Sequence, residues 1–205
     1  MNVPAWHNTG AMSWIFGYGS LVHLPRLARF LERPALPPRD VVFCRLEGFR
    51  RTWGVAMDNR LDIPGYKHYR EPMGGTRPAV YVTFLDLRRR AGSAVNGVAF
   101  RVEDHELERI RRREGNYELS EVTDSLSRPL DGPVLTSLGL PAARDRYRTG
   151  RAQGRAVVRL SYHQTVLDGF RRLGPNALAE YRASTDPPEV PLIPLERCPV
   201  NPGNP

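Results

Sequence analysis

Trp14-Ile15-Phe16-Gly17-Tyr18-Gly19-Ser20-Leu21 is the stretch that decides the fold. Three bulky apolar residues in a row predict a short buried strand. They run straight into Gly-Tyr-Gly-Ser, where two glycines let the backbone turn tightly and come close to a ligand. Leu24 to Leu31 then has helical periodicity, with Pro25 suited to the first turn. Strand, glycine loop and helix in that order aim backbone N–H groups at an anion. Val22 stands where a dinucleotide fingerprint needs a third glycine or alanine, and the Gly-Lys-Ser/Thr ending of a P-loop is absent. A nucleophile elbow would also need a glycine at Val22.

The whole chain bounds these readings. Its 205 residues suffice for one domain with a real core, and 40% hydrophobic with 25% charged residues fits a soluble globular protein. No run of about 18 apolar residues exists to span a membrane. Met1 to Gly10 lacks the basic start and apolar stretch of a secretory signal, so the expected location is the cytoplasm. Cys44 and Cys198 have no metal or redox spacing, and the five histidines form no paired ligand motif, which argues against a metalloenzyme. The net charge of +8 raises nucleic acid or acidic ligands as partners. However, Lys67 is the only lysine, and the clusters Arg88-Arg89-Arg90 and Arg111-Arg112-Arg113 lack interleaved aromatics for base stacking. Nucleic acid is therefore the disfavoured partner.

Along the chain, strands are expected at Val41–Leu46 and, after an interruption at Gly48, at Phe49–Ala56. The polar stretch from Asp58 to Pro78 reads equally as a lid or a plain surface loop. Ala79–Leu87 and Val95–Val102 are expected as two strands joined by a short turn. Glu103 to Arg113 has acids at its start and arginines at its end, matching a helix dipole, with Gly115 as a left-handed cap. Tyr117–Asp124 and Arg155–Ser161 read as strands. Ser161-Tyr162-His163-Gln164 resembles a capping box opening a helix through Leu173, and Asn176–Ala183 reads as another. Ser125 to Gly154 carries little pattern, and the proline-rich stretch from Asp186 reads as extended. The expected organisation is an N-terminal extension over 1–12, one domain over 13–185 and a tail over 186–205. Arg50 and Arg51 could meet a substrate carboxylate or face solvent, and solvent is the expectation.

Phe16-Gly17-Tyr18-Gly19-Ser20-Leu21 resembles the opening motif of the gamma-glutamylcyclotransferase superfamily, which includes ChaC-type and AIG2-like proteins. Arg113-Glu114-Gly115-Asn116-Tyr117 resembles the Arg-Glu-x-x-Tyr segment that carries the catalytic glutamate in that family. Asn96 to Val102 resembles the strand before it, and Ser161-Tyr162 with Glu180-Tyr181 resembles the family's C-terminal tyrosine region. Leu21 matches ChaC-type and bacterial members, whereas Val22-His23 departs from the aromatic continuation common in ChaC proteins.

The resemblance implies an α+β fold, a single-domain, mixed, barrel-like sheet with flanking helices. It implies no cofactor, no metal and a small-molecule gamma-glutamyl substrate whose α-amine closes on its own γ-carbonyl to give 5-oxoproline and an amine. Glu114 would then be the general acid/base. Gly17, Tyr18, Gly19, Ser20 and Leu21 would hold substrate oxygens, and Tyr18 and Tyr162 would form walls. At a helix C-terminus the carbonyls disfavour a carboxylate by up to about 1 kcal/mol, which Arg113 opposes. The competing readings are a binding domain of the same fold without turnover and an arginine-rich nucleic-acid binder.

Overall fold

A computed structural model describes residues 12–63 and 66–200. Nearly all of the expected N-terminal extension lies outside the described residues. β1 (Ser13–Gly17) passes through a single 3-10 turn, Ser20–Val22, into α1 (Leu24–Phe30). His23 caps α1: its Nδ1 accepts the Arg26 N–H at 3.3 Å, and its Nε2 lies 3.0 Å from Asp168 Oδ2. β2 (Val41–Asp58), β3 (Lys67–Arg70) and β4 (Tyr81–Val102) follow, then α2 (Asp104–Arg113), β5 (Tyr117–Glu121) and β6 (Val134–Gly139). The chain continues through α3 (Pro141–Ala152), β7 (Ala156–Arg159), α4 (Leu160–Arg172) and α5 (Pro175–Ala183), and the described part ends with β8 (Leu192–Ile193) and β9 (Glu196–Pro199).

The fold is mixed α+β: a seven-stranded sheet with flanking helices, and a small second sheet made by β3 and β9. Its frame is β2 paired antiparallel with β4 from Val41↔Phe100 to Asp58↔Tyr81. The sequence suggests two strands in each of these segments, but the structure makes each one continuous. The interruption at Gly48 is a bulge, with Gly48 at φ 77 and Gly92 at φ 71, and the pairing jumps from Glu47↔Ala94 to Phe49↔Arg89. Left-handed glycines here bend a ribbon and do not reverse the chain.

On its other edge β4 pairs with β1 at Val98–Val102 and with β7 at Tyr81–Thr83. Among the described residues no strand pairs with 84–97 on that side, and the glycine loop lies against part of this stretch, at Leu85 and Gly97. β6 pairs parallel to β1, and β5 pairs antiparallel to β6. The sheet curls enough for the Tyr117 hydroxyl on outer strand β5 to donate to the Leu85 carbonyl of β4 at 2.7 Å. Phe16, Phe100 and Phe170 are fully buried in the main core, each stabilising by about 1.5–3 kcal/mol. A second cluster gathers Val55, Met57, Tyr69, Val82, Phe84 and Leu195, and Tyr162 packs against both.

Several local expectations change. Gly115 is not left-handed: α2 ends at Glu114, with φ −91 and ψ 44. Ser161 lies inside α4, whose N-cap is Arg159 with no side-chain cap, so no capping box forms there. The proline-rich stretch is not simply extended, because β8 pairs with β7 and β9 with β3. Arg51 does not face solvent. It is 0% exposed, with its guanidinium 5.1 Å from the Phe170 ring centre and 4.8 Å from that of Tyr181. It donates to the Ser184 and Thr185 hydroxyls and the Asn96 carbonyl, and burial pushes its pKa down to about 10. Arg50 pairs with Asp186 at 2.6 Å. No helix among the described residues is long and apolar enough to cross a membrane.

Candidate active site

β1 ends in the core and the chain then turns inside its own structure, which only glycines allow. A Cβ on Gly17 would lie 2.8 Å from the Leu21 Cβ, and one on Gly19 would lie 3.1 Å from the Tyr162 hydroxyl. The Gly19 and Ser20 carbonyls accept the Val22 and His23 N–H groups. Among the described residues the N–H groups of Gly19, Ser20 and Leu21 have no backbone acceptor, so they remain donors for an anion.

The end of α2 meets this loop. Arg113 Nη2 donates to the Ser20 Oγ at 3.2 Å, while its Nε lies 3.4 Å from the Glu114 Oε1. Arg113 is itself held over the Phe30 ring, 4.6 Å from its centre. The chain leaves α2 through a tight turn in which the Tyr117 N–H donates to the Glu114 carbonyl at 2.8 Å. The Glu114 side chain is 17% exposed and faces two adjoining cavities.

The smaller cavity, about 30 Å³, lies between the Gly17–Leu21 loop, Leu85, Glu114, Tyr117 and Tyr162. The larger, about 450 Å³, shares Ser20, Leu21, Glu114, Tyr117 and Tyr162 with it and extends over β3, β7 and β9. Glu114 is the one carboxylate lining either cavity among the described residues, and no histidine or cysteine lines them. Burial pushes the phenols of Tyr18, Tyr117 and Tyr162 well up, so all three stay protonated and act as donors. Tyr18 is committed to the Ser137 carbonyl at 2.7 Å and Tyr117 to that of Leu85.

Known proteins bear on this arrangement through fold. No protein-family model and no curated protein matches the sequence. Among solved structures, a gamma-glutamyl cyclotransferase superposes with a TM-score of 0.50 at 14% identity, over 87% of this chain and 90% of that one. An uncharacterized protein from Homo sapiens gives the same values. YkqA from Bacillus subtilis reaches 0.52 at 15% identity, over 84% of this chain and 53% of its own length. This chain has the gamma-glutamyl-cyclotransferase-like fold.

Within that fold the structure brings together Gly17, Tyr18, Gly19, Ser20, Leu21, Glu114 and Tyr162 around the smaller cavity. Reasoning from sequence weighs Tyr117 as a wall beside Tyr18 and Tyr162 but keeps it out of the site, whereas it lines both cavities; it misses Lys67, Arg159 and Arg197, which line the larger one. The one available signal was compositional: a single lysine, Lys67, in a chain otherwise basic through arginine. Unlike arginine, lysine gives up its charge readily when buried. Burial pushes Lys67 down to about 8, an effect that Glu114 opposes and that Arg197, Arg113 and Arg159 reinforce.

Proposed function

We propose that the protein is a cofactor-independent gamma-glutamyl cyclotransferase, with its nearest motif resemblance to ChaC-type and AIG2-like bacterial members. The observation that carries this reading is that Glu114, the one carboxylate lining the small cavity among the described residues, shares it with a glycine loop whose Gly19, Ser20 and Leu21 N–H groups have no backbone acceptor there. A site with one base and no histidine- or cysteine-based nucleophile suits a substrate that supplies its own nucleophile. The gamma-glutamyl group does so through its α-amine.

The substrate α-ammonium loses a proton to Glu114, and the freed nitrogen attacks the γ-carbonyl carbon. The oxygen of that carbonyl becomes an oxyanion beside the loop N–H groups and the Tyr162 hydroxyl. The bond from that carbonyl carbon to the nitrogen of the amine half then breaks. Two protons leave the α-nitrogen as it becomes the lactam N–H, and two arrive on the departing nitrogen as it becomes an ammonium. Glu114 passes them across, and no water, electron or external group is consumed. Folding the substrate so that its ends meet is the main contribution, since oriented intramolecular attack is worth about 7–11 kcal/mol. A positioned acid/base adds about 10²–10⁴-fold. Arg113 is a positioning residue that ties the Glu114 end of α2 to the loop.

The test is 5-oxoproline release from a panel of gamma-glutamyl compounds by wild type and by Glu114→Gln, with circular dichroism to check folding. A folded variant that loses at least about 100-fold supports the reading. Equal turnover by both proteins removes Glu114 as the base. No turnover by wild type on any compound favours a binding domain of the same fold.

A further inference from the structure

The larger cavity holds an excess of positive charge that no carboxylate among the described residues balances. Seven of its lining side chains are cationic, against the single carboxylate of Glu114. Three of the seven are accounted for on the surface of α2: Arg109 pairs with Glu32, Arg112 with Glu108, and Arg113 with Glu114. Lys67, Arg159, Arg197 and Arg26 have no carboxylate partner among the described residues.

Lys67 and Arg159 are built into the wall, and Arg197 stands exposed at its rim. Lys67 extends from β3 with its ammonium 4.6 Å from the Tyr66 ring centre and 5.1 Å from that of Phe84. Arg159, at the junction of β7 and α4, lies 5.2 Å from the Tyr69 ring centre, and its buried Nε has no hydrogen-bond partner. Arg197 stands on β9 directly opposite Tyr69 of β3. Aromatic faces thus fix two cations in place without supplying a counter-charge. Gathering like charges in a partly dehydrated cavity is unfavourable, and a bound anion relieves it.

The two cavities meet at Glu114. None of Lys67, Arg159, Arg197 or Arg26 touches the smaller one, where the loop and Glu114 meet, and Glu114 stands on the shared wall. With the γ-carbonyl seated at the smaller cavity, whose volume of about 30 Å³ admits little more than that group, the bond to be broken lies beside Glu114 and the departing amine reaches among the cations. About 450 Å³ is room for an amino acid with a charged side chain.

We propose that Lys67, Arg159 and Arg197 bind the amine half of the gamma-glutamyl substrate and select an amine that carries at least two negative charges, as two carboxylates or as a phosphate. This inference rests on the cyclotransferase reading, and it names the substrate class of that same site.

Two measurements test it together. The first compares kcat/KM for 5-oxoproline release from gamma-glutamylglutamate, gamma-glutamylphosphoserine, gamma-glutamylalanine and gamma-glutamylmethylamide at constant ionic strength. Preference for the first two over gamma-glutamylalanine by at least tenfold, carried by KM, is expected. In Lys67→Met and Arg197→Gln that ratio is expected to fall toward one, and the better of the two dianionic substrates tells carboxylate from phosphate. The second measurement needs no variant. Lys67 is the only lysine, so its acetylation by acetic anhydride is read on one peptide by mass spectrometry. Glutarate and phosphoglycolate, which carry no amine to consume the anhydride, are expected to slow that acetylation at least threefold, and acetamide is expected to leave it unchanged. Turnover without charge preference overturns the inference while the cyclotransferase reading stands. Protection of Lys67 without turnover of any substrate supports the anion site and overturns the cyclotransferase reading. Absence of both overturns both.

Discussion

Arg113 donates from Nη2 to the Ser20 hydroxyl across 3.2 Å, joining two segments 93 residues apart in sequence. The same guanidinium faces the Glu114 carboxylate through Nε. One side chain therefore fixes the spacing between the glycine loop and the carboxylate at the end of α2.

If that bridge sets the catalytic geometry, Ser20→Ala and Arg113→Gln each lower kcat for 5-oxoproline release about tenfold, or roughly 1.4 kcal/mol of barrier. Stability changes little, because such a part-exposed contact is worth about 0–1 kcal/mol. The double variant is expected to be no worse than the poorer single one, since both remove the same contact. Steady-state kinetics and urea unfolding on all four proteins check this. Fully additive losses in kcat would show that the two residues act separately.

The two loop glycines separate activity from folding. In Gly19→Ala the new methyl points at the Tyr162 hydroxyl, 3.1 Å away, and takes up space in the smaller cavity. Activity is expected to fall more than tenfold while Tm moves by only a few degrees. In Gly17→Ala the methyl meets the Leu21 Cβ at 2.8 Å inside the core, so the loss falls on stability, about 1–3 kcal/mol. Thermal unfolding and product release measured on both variants test this. The assignment of the smaller cavity to substrate fails if Gly19→Ala keeps full activity.

What could be read in the sequence, and what could not, follows from how each element is held. β1, the glycine loop and α1 were legible because an apolar run, paired glycines and Pro25 all point to the same local structure. Glu114 was legible through its motif neighbours. α3 was not, because it packs through small residues: Ala143 and Gly150 are its buried positions, and a Cβ on Gly150 would meet the Tyr81 ring at 2.7 Å. Contacts of that kind leave no apolar stripe. Arg51 reads as a surface residue because nothing local announces a buried cation, and its partners come from Asn96, Phe170 and the end of α5, all distant in sequence. The cation cluster was hidden for the same reason, since Lys67, Arg159 and Arg197 meet only when β3, β7 and β9 assemble.

Lys67 also predicts a pH dependence of stability. Below about pH 8 the lysine is protonated in both states, and the folded protein bears the cost of the buried ammonium. As the pH rises past 8, the folded state releases the proton before the unfolded chain does, at its ordinary 10.5, so this contribution to stability increases over that interval. Lys67→Met removes the term. The variant is expected to be more stable than wild type at pH 7, by roughly 3 kcal/mol at most, and the difference is expected to shrink by pH 10. Urea midpoints of both proteins across that range give the answer. A difference that stays constant with pH would mean that the lysine is not depressed.

The stretch after Asp186 gives the sharpest contrast between sequence and structure. A free extended tail would be removable without consequence. Here Leu195 is 4% exposed and packs in the cluster of Val55, Met57 and Tyr69, while the flanking residues add strands to β7 and β3. Leu195→Ala is expected to cost about 2–4 kcal/mol, as for other buried leucines, and to lower the urea midpoint accordingly. Truncation after Val190 removes β8 and β9 together. It is expected to destabilise further and to raise KM for any anionic substrate, because Arg197 leaves with β9 and Lys67 loses the strand that pairs with its own. An unchanged urea midpoint in either variant would mean that this stretch does not hold β3 against the body of the fold, and that the outer wall of the larger cavity is built without it.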